Sequence, residues 1–338
     1  MEPSLFKSIH FLRDSLQKFA MRLSIIPILD ALARRTFTSA GLRPESITIN
    51  SETTIHCWLP PSLPLSSPQN PNNQISKPSL LLIHGFGPVT TWQWRAQVRA
   101  LSRHFDLIVP DLIFFGRSTT TSPERSELFQ ASMMVALLKS LGVSGESIAG
   151  IVGTSYGGFV AYHAARMMGE EWTGKLVIAS SDLEKKDEDD RALMERVGGI
   201  GSVVEIMLPR TTDDLRKLLK ISVRRPPRFP PPEFLLRDVL RNLYQDNMER
   251  KIELLKGVTL GNKDLFQLTP LRQEVLILWG EHDGIFPVIK AFQLKKKLGE
   301  KVKLKIFKNT GHVPQLEAPD EFNKVLLSFL LGSPNSTL

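Results

Sequence analysis

The chain has 338 residues, of which 42% are hydrophobic and 23% charged, a composition typical of folded globular proteins that excludes collagen and a wholly disordered chain. The formal net charge is +8, and part of the excess is local, because residues 290–310 carry eight lysines and one acid. The single cysteine, Cys57, excludes an intrachain disulfide and zinc sites with two or more cysteine ligands. The seven histidines lack the H-E-x-x-H spacing, which disfavours a zinc hydrolase.

The first predicted element is an amphipathic helix near the N-terminus. Large apolar residues recur there at spacings of three and four: Leu5, Ile9, Leu12, Leu16, Phe19 and Leu23. The uncharged run Leu23–Leu29 is far shorter than the roughly 20 residues that span a bilayer, and charges interrupt any secretory signal. We expect this helix to pack on the protein itself, with shallow membrane contact as the alternative. The predicted location is cytoplasmic, or peripheral at a membrane surface.

Short apolar runs alternate with helix-like stretches along most of the chain. A strand-like segment, Ser46–Leu59, precedes the proline-rich stretch Pro60–Ser79, which we interpret as a solvated loop in a hairpin. The later runs are Leu80–Ile83, Leu107–Pro110, Ser147–Val152, Leu176–Ala179, Val275–Trp279 and Val302–Ile306. Such runs suit strands buried on both faces, so the pattern predicts an α/β fold with a mostly parallel sheet between helices.

The interval of about 95 residues between the runs Leu176–Ala179 and Val275–Trp279 has little strand character. We interpret it as a helical insertion over one end of the sheet. The predicted domains are an N-terminal amphipathic helical extension (1–45), a first core part (46–181), a helical lid (182–270) and a second core part (271–338). The lid contains apolar residues that indicate either a lipophilic substrate group or packing onto the core: Ile206, Met207, Leu208, Leu235, Leu236 and Leu240.

The segment Gly153–Gly157 contains the spacing G-x-S-x-G with Ser155 at its centre. It follows the apolar run Ile148–Val152 and precedes the helical stretch Phe159–Met168. A tight turn between a strand and a helix exposes a serine oxygen, and glycines tolerate the crowding. Ser155 is therefore the candidate nucleophile, and a purely structural turn is the alternative.

A serine nucleophile needs a general base, and the base needs an acid that orients it. Asp283 and His312 each follow an apolar strand. Loops at the carboxyl ends of parallel strands gather catalytic groups in open α/β sheets. The chain order Ser, Asp, His is the order expected for such a sheet, so these two residues complete a candidate triad with Ser155.

Four other titratable residues compete for these roles. Asp182 also follows a strand, and we prefer Asp283 because the signal Gly-x-x-Asp follows the later strand. We expect Asp111 to be a structural turn residue and His163 to be packed within the helix after the serine. The side chain of His282 is expected to point away from the site.

The segment His84–Gly87 follows the strand Leu80–Ile83 directly. Acyl transfer passes through a tetrahedral oxyanion, which needs preorganised N–H donors. We predict that the backbone N–H groups of Phe86 and Tyr156 form this oxyanion hole. A simple glycine turn is the alternative reading of the loop.

These motifs resemble the α/β-hydrolase superfamily, in its cap-bearing serine hydrolase branch of esterases, monoacylglycerol-lipase-like enzymes and C–C hydrolases. The resemblance covers about Leu80 to Leu331 and includes further matching positions: Trp92, Gln97, Val109–Leu112, Phe115–Ser118, Pro314, Glu317, Pro319, Phe322 and Asn323. It implies an eight-stranded sheet and a helical lid that forms the substrate pocket. Relatives that open epoxides or dehalogenate carry aspartate at the position of Ser155, so those reactions are disfavoured. Thr154 replaces a histidine common in lipases, and the loop at His84 is shorter than in many C–C hydrolases.

The sequence thus predicts a serine hydrolase that cleaves carboxylic esters through an acyl-enzyme, with monoacylglycerol or another lipophilic ester as substrate. Hydrolysis of a C–C bond in a vinylogous diketone, or a triad-bearing ligand receptor with little turnover, are the alternatives. We expect no cofactor and no metal. The expected partner is a small-molecule ester rather than nucleic acid, because few aromatic residues interleave with the lysines of 290–310. That segment is expected to form an exposed helix and an edge strand.

Overall fold

The computed structural model describes residues 24–64, 77–143, 145–169, 172–199, 201–226, 228–260 and 266–332. These residues contain nine strands: β1 (Arg43–Thr48), β2 (Thr53–Leu59), β3 (Ser79–Ile83), β4 (Asp106–Pro110), β5 (Thr119–Thr120), β6 (Ile148–Thr154), β7 (Lys175–Ala179), β8 (Val275–Gly280) and β9 (Lys303–Phe307). They form one sheet in the order β1-β2-β4-β3-β6-β7-β8-β9, with the two-residue β5 paired to β2.

The helices of the described residues are α1 (Ile26–Ser39), α2 (Thr90–Trp94), α3 (Val98–Leu101), α4 (Glu127–Ser140), α5 (Tyr156–Met168), α6 (Asp187–Arg196), α7 (Val203–Met207), α8 (Thr212–Ser222), α9 (Glu233–Val239), α10 (Met248–Lys256), α11 (Ile289–Leu298), α12 (Pro314–Glu317) and α13 (Pro319–Leu331). A 3₁₀ turn, Gly145–Ser147, precedes β6, and a π-helical turn, Leu240–Tyr244, continues α9. No helix of the described part of the chain is long and apolar enough to cross a membrane.

Six strands, β3, β4 and β6 to β9, pair in parallel, whereas β2 pairs antiparallel with β1, β4 and β5. Helices connect the parallel strands and cover both faces. The predicted α/β fold with a mostly parallel, eight-stranded sheet is confirmed. The two-residue strand β5, paired to β2, is a ninth strand.

The prediction of a hairpin around Pro60–Ser79 is wrong. β2 does not pair with β3, because its neighbours are β1, β4 and β5. The hairpin instead joins β1 to β2, where the side chain of Asn50 accepts hydrogen bonds from the backbone N–H groups of Glu52 (2.9 Å) and Thr53 (2.8 Å). An asparagine that bonds its own backbone in this way favours a tight turn. Residues 65–76 of the predicted loop lie outside the described residues.

The sheet separates two apolar cores because successive side chains of a strand point to opposite faces. In β3, Leu80 and Leu82 join the core under α1, α2, α3 and α13, whereas Leu81 and Ile83 join the core under α4, α5 and α11. Both faces of this strand are fully buried. Burial on two faces explains why the central strands are continuous apolar runs rather than alternating ones.

The long interval between β7 and β8 contains helices α6 to α10 and, among its described residues, no strand. This is the helical insertion that the sequence predicted. Buried apolar side chains of these helices, such as Leu215, Leu236 and Leu254, belong to the same core as the strands. The role of the insertion as a lid and the division of the chain into domains stay predictions.

Helix α1 connects the insertion to the rest of the protein. The carboxylate of Asp238, in α9, accepts hydrogen bonds from the backbone N–H groups of Ile25 (2.6 Å) and Ile26 (2.8 Å) and from the Ser24 hydroxyl (2.5 Å). Asp30 accepts a hydrogen bond from the indole of Trp92 on the core. The apolar stripe predicted from Leu5 to Leu23 lies outside the described residues.

The lysine-rich segment 290–310 forms α11 and β9, and β9 is the last strand of the sheet order. The exposed helix and edge strand predicted there are confirmed. Several of its lysines form ion pairs with nearby acids, such as Lys305 with Glu321 (2.8 Å).

Replacement of Asp238 by alanine should lower the free energy of unfolding by about 1–2 kcal/mol, because the first N–H groups of α1 lose their acceptor. Urea denaturation followed by circular dichroism measures the loss. The control is Asp213→Ala, which removes an exposed ion pair with Arg216 and should change stability by less than about 0.5 kcal/mol. Equal effects of the two variants would contradict a capping role for Asp238.

Candidate active site

Ser155 lies in a sharp turn between β6 and α5, with φ 52° and ψ −124°. Few non-glycine residues adopt a positive φ, and such strain is common at functional sites. The turn needs glycines on both sides. A Cβ on Gly153 would lie 2.1 Å from the carbonyl oxygen of Gly157, and a Cβ on Gly157 would lie 2.4 Å from that of His84. Glycine at these positions therefore allows the backbone contacts that expose the serine oxygen.

The structure brings Ser155, His312 and Asp283 together in one hydrogen-bonded chain. The Nε2 atom of His312 lies 2.9 Å from the Oγ of Ser155, and its Nδ1 lies 2.8 Å from the Oδ2 of Asp283. A carboxylate only accepts hydrogen bonds, so Nδ1 carries the proton and Nε2 is left to accept from the serine hydroxyl. All three residues are buried, with Ser155 8% exposed.

The second oxygen of Asp283 is also occupied. Its Oδ1 accepts hydrogen bonds from the backbone N–H groups of Ile285 and Phe286, each at 2.9 Å. Three donors therefore fix the position of the carboxylate. The carboxylate cannot rotate away from His312 without losing these hydrogen bonds.

Hydrogen bonds join the two loops that carry the acid and the histidine. The N–H of His282 donates to the carbonyl oxygen of Thr310 at 2.8 Å. Glu281 accepts from the N–H of Asn309 (3.0 Å) and from the ammonium of Lys308 (2.7 Å), and the Lys308 bond is the main reason that the pKa of Glu281 is lowered. The ends of β8 and β9 are thus held in register where their side chains meet.

The end of α8, in the insertion, bonds to the same two loops. The carbonyl oxygen of Ile221 accepts from the N–H of Gly284 (3.0 Å), and that of Ser222 accepts from the N–H of His312 (2.8 Å). Sequence reasoning did not identify these contacts, because backbone acceptors leave no signal in residue type. The insertion therefore helps to position both Asp283 and His312.

Glu317 adds a side-chain connection at the same place. Its Oε1 accepts from the N–H of Gly311 (2.8 Å), and its Oε2 accepts from the N–H groups of Arg224 (2.9 Å) and Arg225 (2.8 Å). One carboxylate thus links the histidine loop to the chain after α8. From the sequence, Glu317 was recognised only as one of the positions that match the family, and no role was predicted for it.

Side chains of the core fix the loop His84–Gly87 beside the serine. The imidazole of His84 donates from Nδ1 to the carbonyl oxygen of Gly85 (2.8 Å) and accepts at Nε2 from the N–H of Leu112 (2.9 Å). Burial lowers the pKa of His84, which keeps the ring neutral. The amide of Gln93 bonds both the N–H and the carbonyl oxygen of Gly85, each at 2.9 Å.

Gly85 approaches the serine so closely that a Cβ on it would lie 2.9 Å from the Cβ of Ser155. Phe86 follows Gly85, and Tyr156 is the first residue of α5, where N–H groups have no acceptor within the helix. The rings of Phe86 and Tyr156 meet edge to face at 6.0 Å. The two residues predicted to form the oxyanion hole thus flank Ser155, and their role stays a prediction.

A cavity of about 300 Å³ opens from Ser155 between the sheet and the insertion. Most of its walls are apolar, and its lining comprises Phe86, Ser155, Tyr156, Phe159, Lys185, Asp190, Leu193, Met194, Ser202, Val203, Val204, Met207, Leu255, Val258, Ile285 and Phe286. Of the six apolar residues singled out in the insertion, Met207 lines this cavity. Ile206, Leu208, Leu236 and Leu240 are buried, which fits the packing alternative for them.

The competing residues have other partners. Asp182 pairs with the ammonium of Lys290 at 3.0 Å, and Asp111 accepts from the N–H of Thr90 and bonds His56. His163 is buried in α5, and burial lowers its pKa to about 4. The side chain of His282 is 43% exposed. None of the four lies in the chain formed by Ser155, His312 and Asp283.

The described residues contain no group of three or more His, Cys, Asp or Glu side chains that could hold a metal ion. The groups that the structure does place at Ser155 are side chains and backbone N–H groups. This combination can transfer a proton from serine to histidine and stabilise a negative charge near the serine.

A sequence model of the alpha/beta hydrolase family matches residues 80–325 of the chain. A pimeloyl-[acyl-carrier protein] methyl ester esterase of Vibrio vulnificus is 26% identical over 272 residues, which cover 75% of this chain and 94% of that protein. A 2-hydroxy-6-oxononadienedioate/2-hydroxy-6-oxononatrienedioate hydrolase of Burkholderia vietnamiensis is also 26% identical, over 75% of this chain and 86% of that protein. The crystal structure of a carboxylesterase from Bacillus subtilis, 19% identical, shares the fold with a TM-score of 0.62 over 90% of this chain and 98% of that one.

Replacement of Lys290 by methionine should destabilise the protein by about 3 kcal/mol at neutral pH, because it leaves the buried carboxylate of Asp182 without its cation. Burial already raises the pKa of Asp182, against the opposing effect of Lys290. Without Lys290 this pKa rises further, so the folded variant regains stability when the carboxyl is protonated. The deficit measured by denaturation should therefore be larger at pH 8 than at pH 5.

The matched control for this prediction is Lys297→Met, on the same helix. Lys297 is 61% exposed and pairs with Glu184 at 3.5 Å, so its loss should change stability by less than about 1 kcal/mol at either pH. A pH-independent deficit in Lys290→Met would show that the unpaired carboxylate of Asp182 is not the cause of the lost stability.

Proposed function

Because the chain belongs to the α/β hydrolase family, we propose that it is a serine hydrolase that cleaves carboxylic esters through an acyl-enzyme. The observation that carries this proposal is the continuous hydrogen-bonded chain from Ser155 through His312 to Asp283, at the end of an apolar cavity. Its relatives include an ester hydrolase and a C–C hydrolase, so the residues at the site must distinguish between the two reactions.

In the proposed reaction, the Oγ of Ser155 attacks the carbonyl carbon of the ester while its proton moves to the Nε2 of His312. The imidazolium then gives this proton to the leaving alkoxide, and the alcohol departs. Water attacks the acyl-enzyme with His312 as general base, which releases the carboxylic acid and restores the serine. Asp283 keeps the imidazole in the required tautomer and stabilises its positive charge.

The negative charge that forms on the carbonyl oxygen in each tetrahedral intermediate needs nearby donors. We assign this role to the backbone N–H groups of Phe86 and Tyr156. Gly85 and Gln93 hold the first of these residues in place, and the first turn of α5 presents the second. Donors fixed in advance need no reorganisation at the moment of reaction, which is why they stabilise the transition state.

The cavity supports a substrate with a lipophilic acyl or alcohol group. Its walls are formed on the core side by residues such as Phe159 and Phe286 and on the insertion side by residues such as Leu193, Val203 and Leu255. Burial of apolar substrate area against these walls contributes about 25 cal/mol per Å². Monoacylglycerol and other esters with a single hydrocarbon chain fit this chemistry.

Labelling with a fluorophosphonate, followed by a panel of esters of graded chain length, tests the proposal directly. Repeated turnover of esters supports the hydrolase, and a rise of kcat/KM with chain length supports the lipophilic substrate. Stoichiometric release in a single turnover would instead favour a ligand receptor. Turnover confined to vinylogous diketones would favour a C–C hydrolase.

Ser155→Ala should lower ester turnover by a factor on the order of 10⁴ to 10⁶ without loss of the fold, because the nucleophile is removed and the cavity is kept. Fluorophosphonate labelling should disappear in the same variant, as measured by in-gel fluorescence. Labelling that persists at another serine would show that Ser155 is not the nucleophile.

Asp283→Asn should lower kcat by about 10⁴, because the imidazole loses the acceptor that sets its tautomer. Asp182→Asn provides the matched comparison at the end of a neighbouring strand, and kcat should stay within about threefold, because Asp182 bonds Lys290 rather than His312. Steady-state kinetics on one ester measures both variants. The reverse order of effects would transfer the acid role to Asp182.

A further inference from the structure

The insertion contributes one buried cation that no part of the proposed mechanism uses. Lys251 lies in α10 and is only 3% exposed. Its ammonium sits 4.9 Å from the centre of the Phe115 ring, and among the described residues it forms no ion pair. Burial lowers the pKa of Lys251, although the charges of Asp246 and Asp111 oppose that effect.

The position of this ammonium relates it to the loop beside the serine. The Phe115 ring meets the ring of Phe86 edge to face at 5.2 Å and the ring of His84 at 5.1 Å. The charge of Lys251 acts on His84. Burial is the main cause of the lowered pKa of His84, Asp111 and the carbonyl of Gly85 oppose it, and Lys251 adds to it. Lys251 therefore lies behind the loop that holds the N–H of Phe86, separated from it by one aromatic ring.

The fold alone gives little reason for a charge at this position. A buried ammonium with no carboxylate in direct contact loses hydration that a cation–π contact restores only in part. Other contacts already hold this part of the insertion. The buried side chain of Leu254 packs in the core, and the N–H of Thr259 donates to the carboxylate of Glu127 at 3.0 Å. An apolar side chain of similar length would fill the same space.

Two carboxylates, Asp246 and Asp111, lie near Lys251 and act against its charge. Asp246 is exposed, so water screens it. Asp111 is buried, and its two oxygens are bonded to the N–H of Thr90 and the ring of His56. Its negative charge opposes that of Lys251. Coulomb interactions add, so the loss of Lys251 removes its own contribution and leaves that of Asp111 without compensation. In a poorly solvated interior, the ammonium then acts over more than one layer of side chains.

We propose that Lys251 stabilises the negative charge that develops on the substrate carbonyl oxygen between the N–H groups of Phe86 and Tyr156. The inference rests on the proposed function, since it requires an anionic tetrahedral intermediate at Ser155. Lys251 does not touch the reacting atoms. It acts through the field that it creates at the oxyanion loop, and it supplements the two backbone donors.

The test compares Lys251→Met with Arg250→Met, a matched control one residue earlier. Arg250 is an exposed cation 5.6 Å from the Phe114 ring, so the control removes the same charge at a position away from the oxyanion loop. For Lys251→Met we expect kcat to fall about tenfold with KM within about twofold. The affinity for a trifluoromethyl ketone, which forms an anionic adduct with an active serine, should fall by a similar factor. Arg250→Met should change neither quantity by more than about twofold.

Thermal unfolding separates this electrostatic role from a structural one. If Lys251 serves the reaction, the Tm of Lys251→Met stays the same or rises, because a buried unpaired charge is removed. A lower Tm with unchanged kcat and unchanged inhibitor affinity would mean that Lys251 only anchors α10, and would overturn the proposal. A raised KM with unchanged kcat would also overturn it, because Lys251 would then bind the ground state.

Two further measurements keep the test decisive. Lys251→Gln, which is neutral and polar, gives the same kinetic readout if the methionine variant does not fold. Turnover that survives in Ser155→Ala would refute the proposed function itself. That outcome is distinct from the failure of the Lys251 proposal, in which Ser155 stays essential and the charge at Lys251 has no effect on kcat.

Discussion

The contact between the end of β6 and the start of α5 is the constraint on which the site depends. Ser155 can hold its strained backbone, which costs about 1–3 kcal/mol, only because several hydrogen bonds hold the turn. Its N–H donates to the carbonyl oxygen of Ala179 (2.8 Å), and its carbonyl oxygen accepts from the N–H of Gly158 (2.8 Å) and the hydroxyl of Ser181 (2.7 Å). The neighbouring strand thus fixes the direction in which the serine oxygen points.

The same sheet places the other groups. The loops that carry Asp283 and His312 follow the adjacent strands β8 and β9, which pair in parallel, so their ends meet at one edge. The insertion closes the arrangement from above through the carbonyl oxygens of Ile221 and Ser222. The core and the insertion therefore both position Asp283 and His312, and the apolar cavity lies between the core and the insertion.

Much of this arrangement could be predicted from the sequence, because Ser155, Asp283, His312 and the His84 loop each follow a short apolar run of the kind that forms a buried strand. The hairpin was mispredicted because the turn at Asn50 depends on a single side chain bonding its own backbone, whereas the proline-rich segment gave a stronger turn signal. The walls of the cavity, such as Val203 and Leu255, could not be predicted, since an apolar helix position looks the same whether it faces a core or a cavity. Lys251 looked like any other lysine, because burial is a property of the packed structure.

The hydrogen bonds of Glu317, Ile221 and Ser222 hold some parts of the insertion more firmly than others. The stretch from the end of α8 to Arg225 is hydrogen-bonded to the loops that carry His312 and Asp283. Helix α7 contributes to the cavity wall and, in the described structure, makes no such bonds. An exchange of the whole insertion between related proteins, as a way to transfer substrate preference, would therefore also exchange the backbone groups that hold Asp283 and His312 in place. A graft that spans only α7 would leave those supports intact. It could not extend into α6, because Arg196 at the end of that helix donates hydrogen bonds to the carbonyl oxygens of Gly284 and Ile285, each at 3.1 Å, in the loop that carries Asp283.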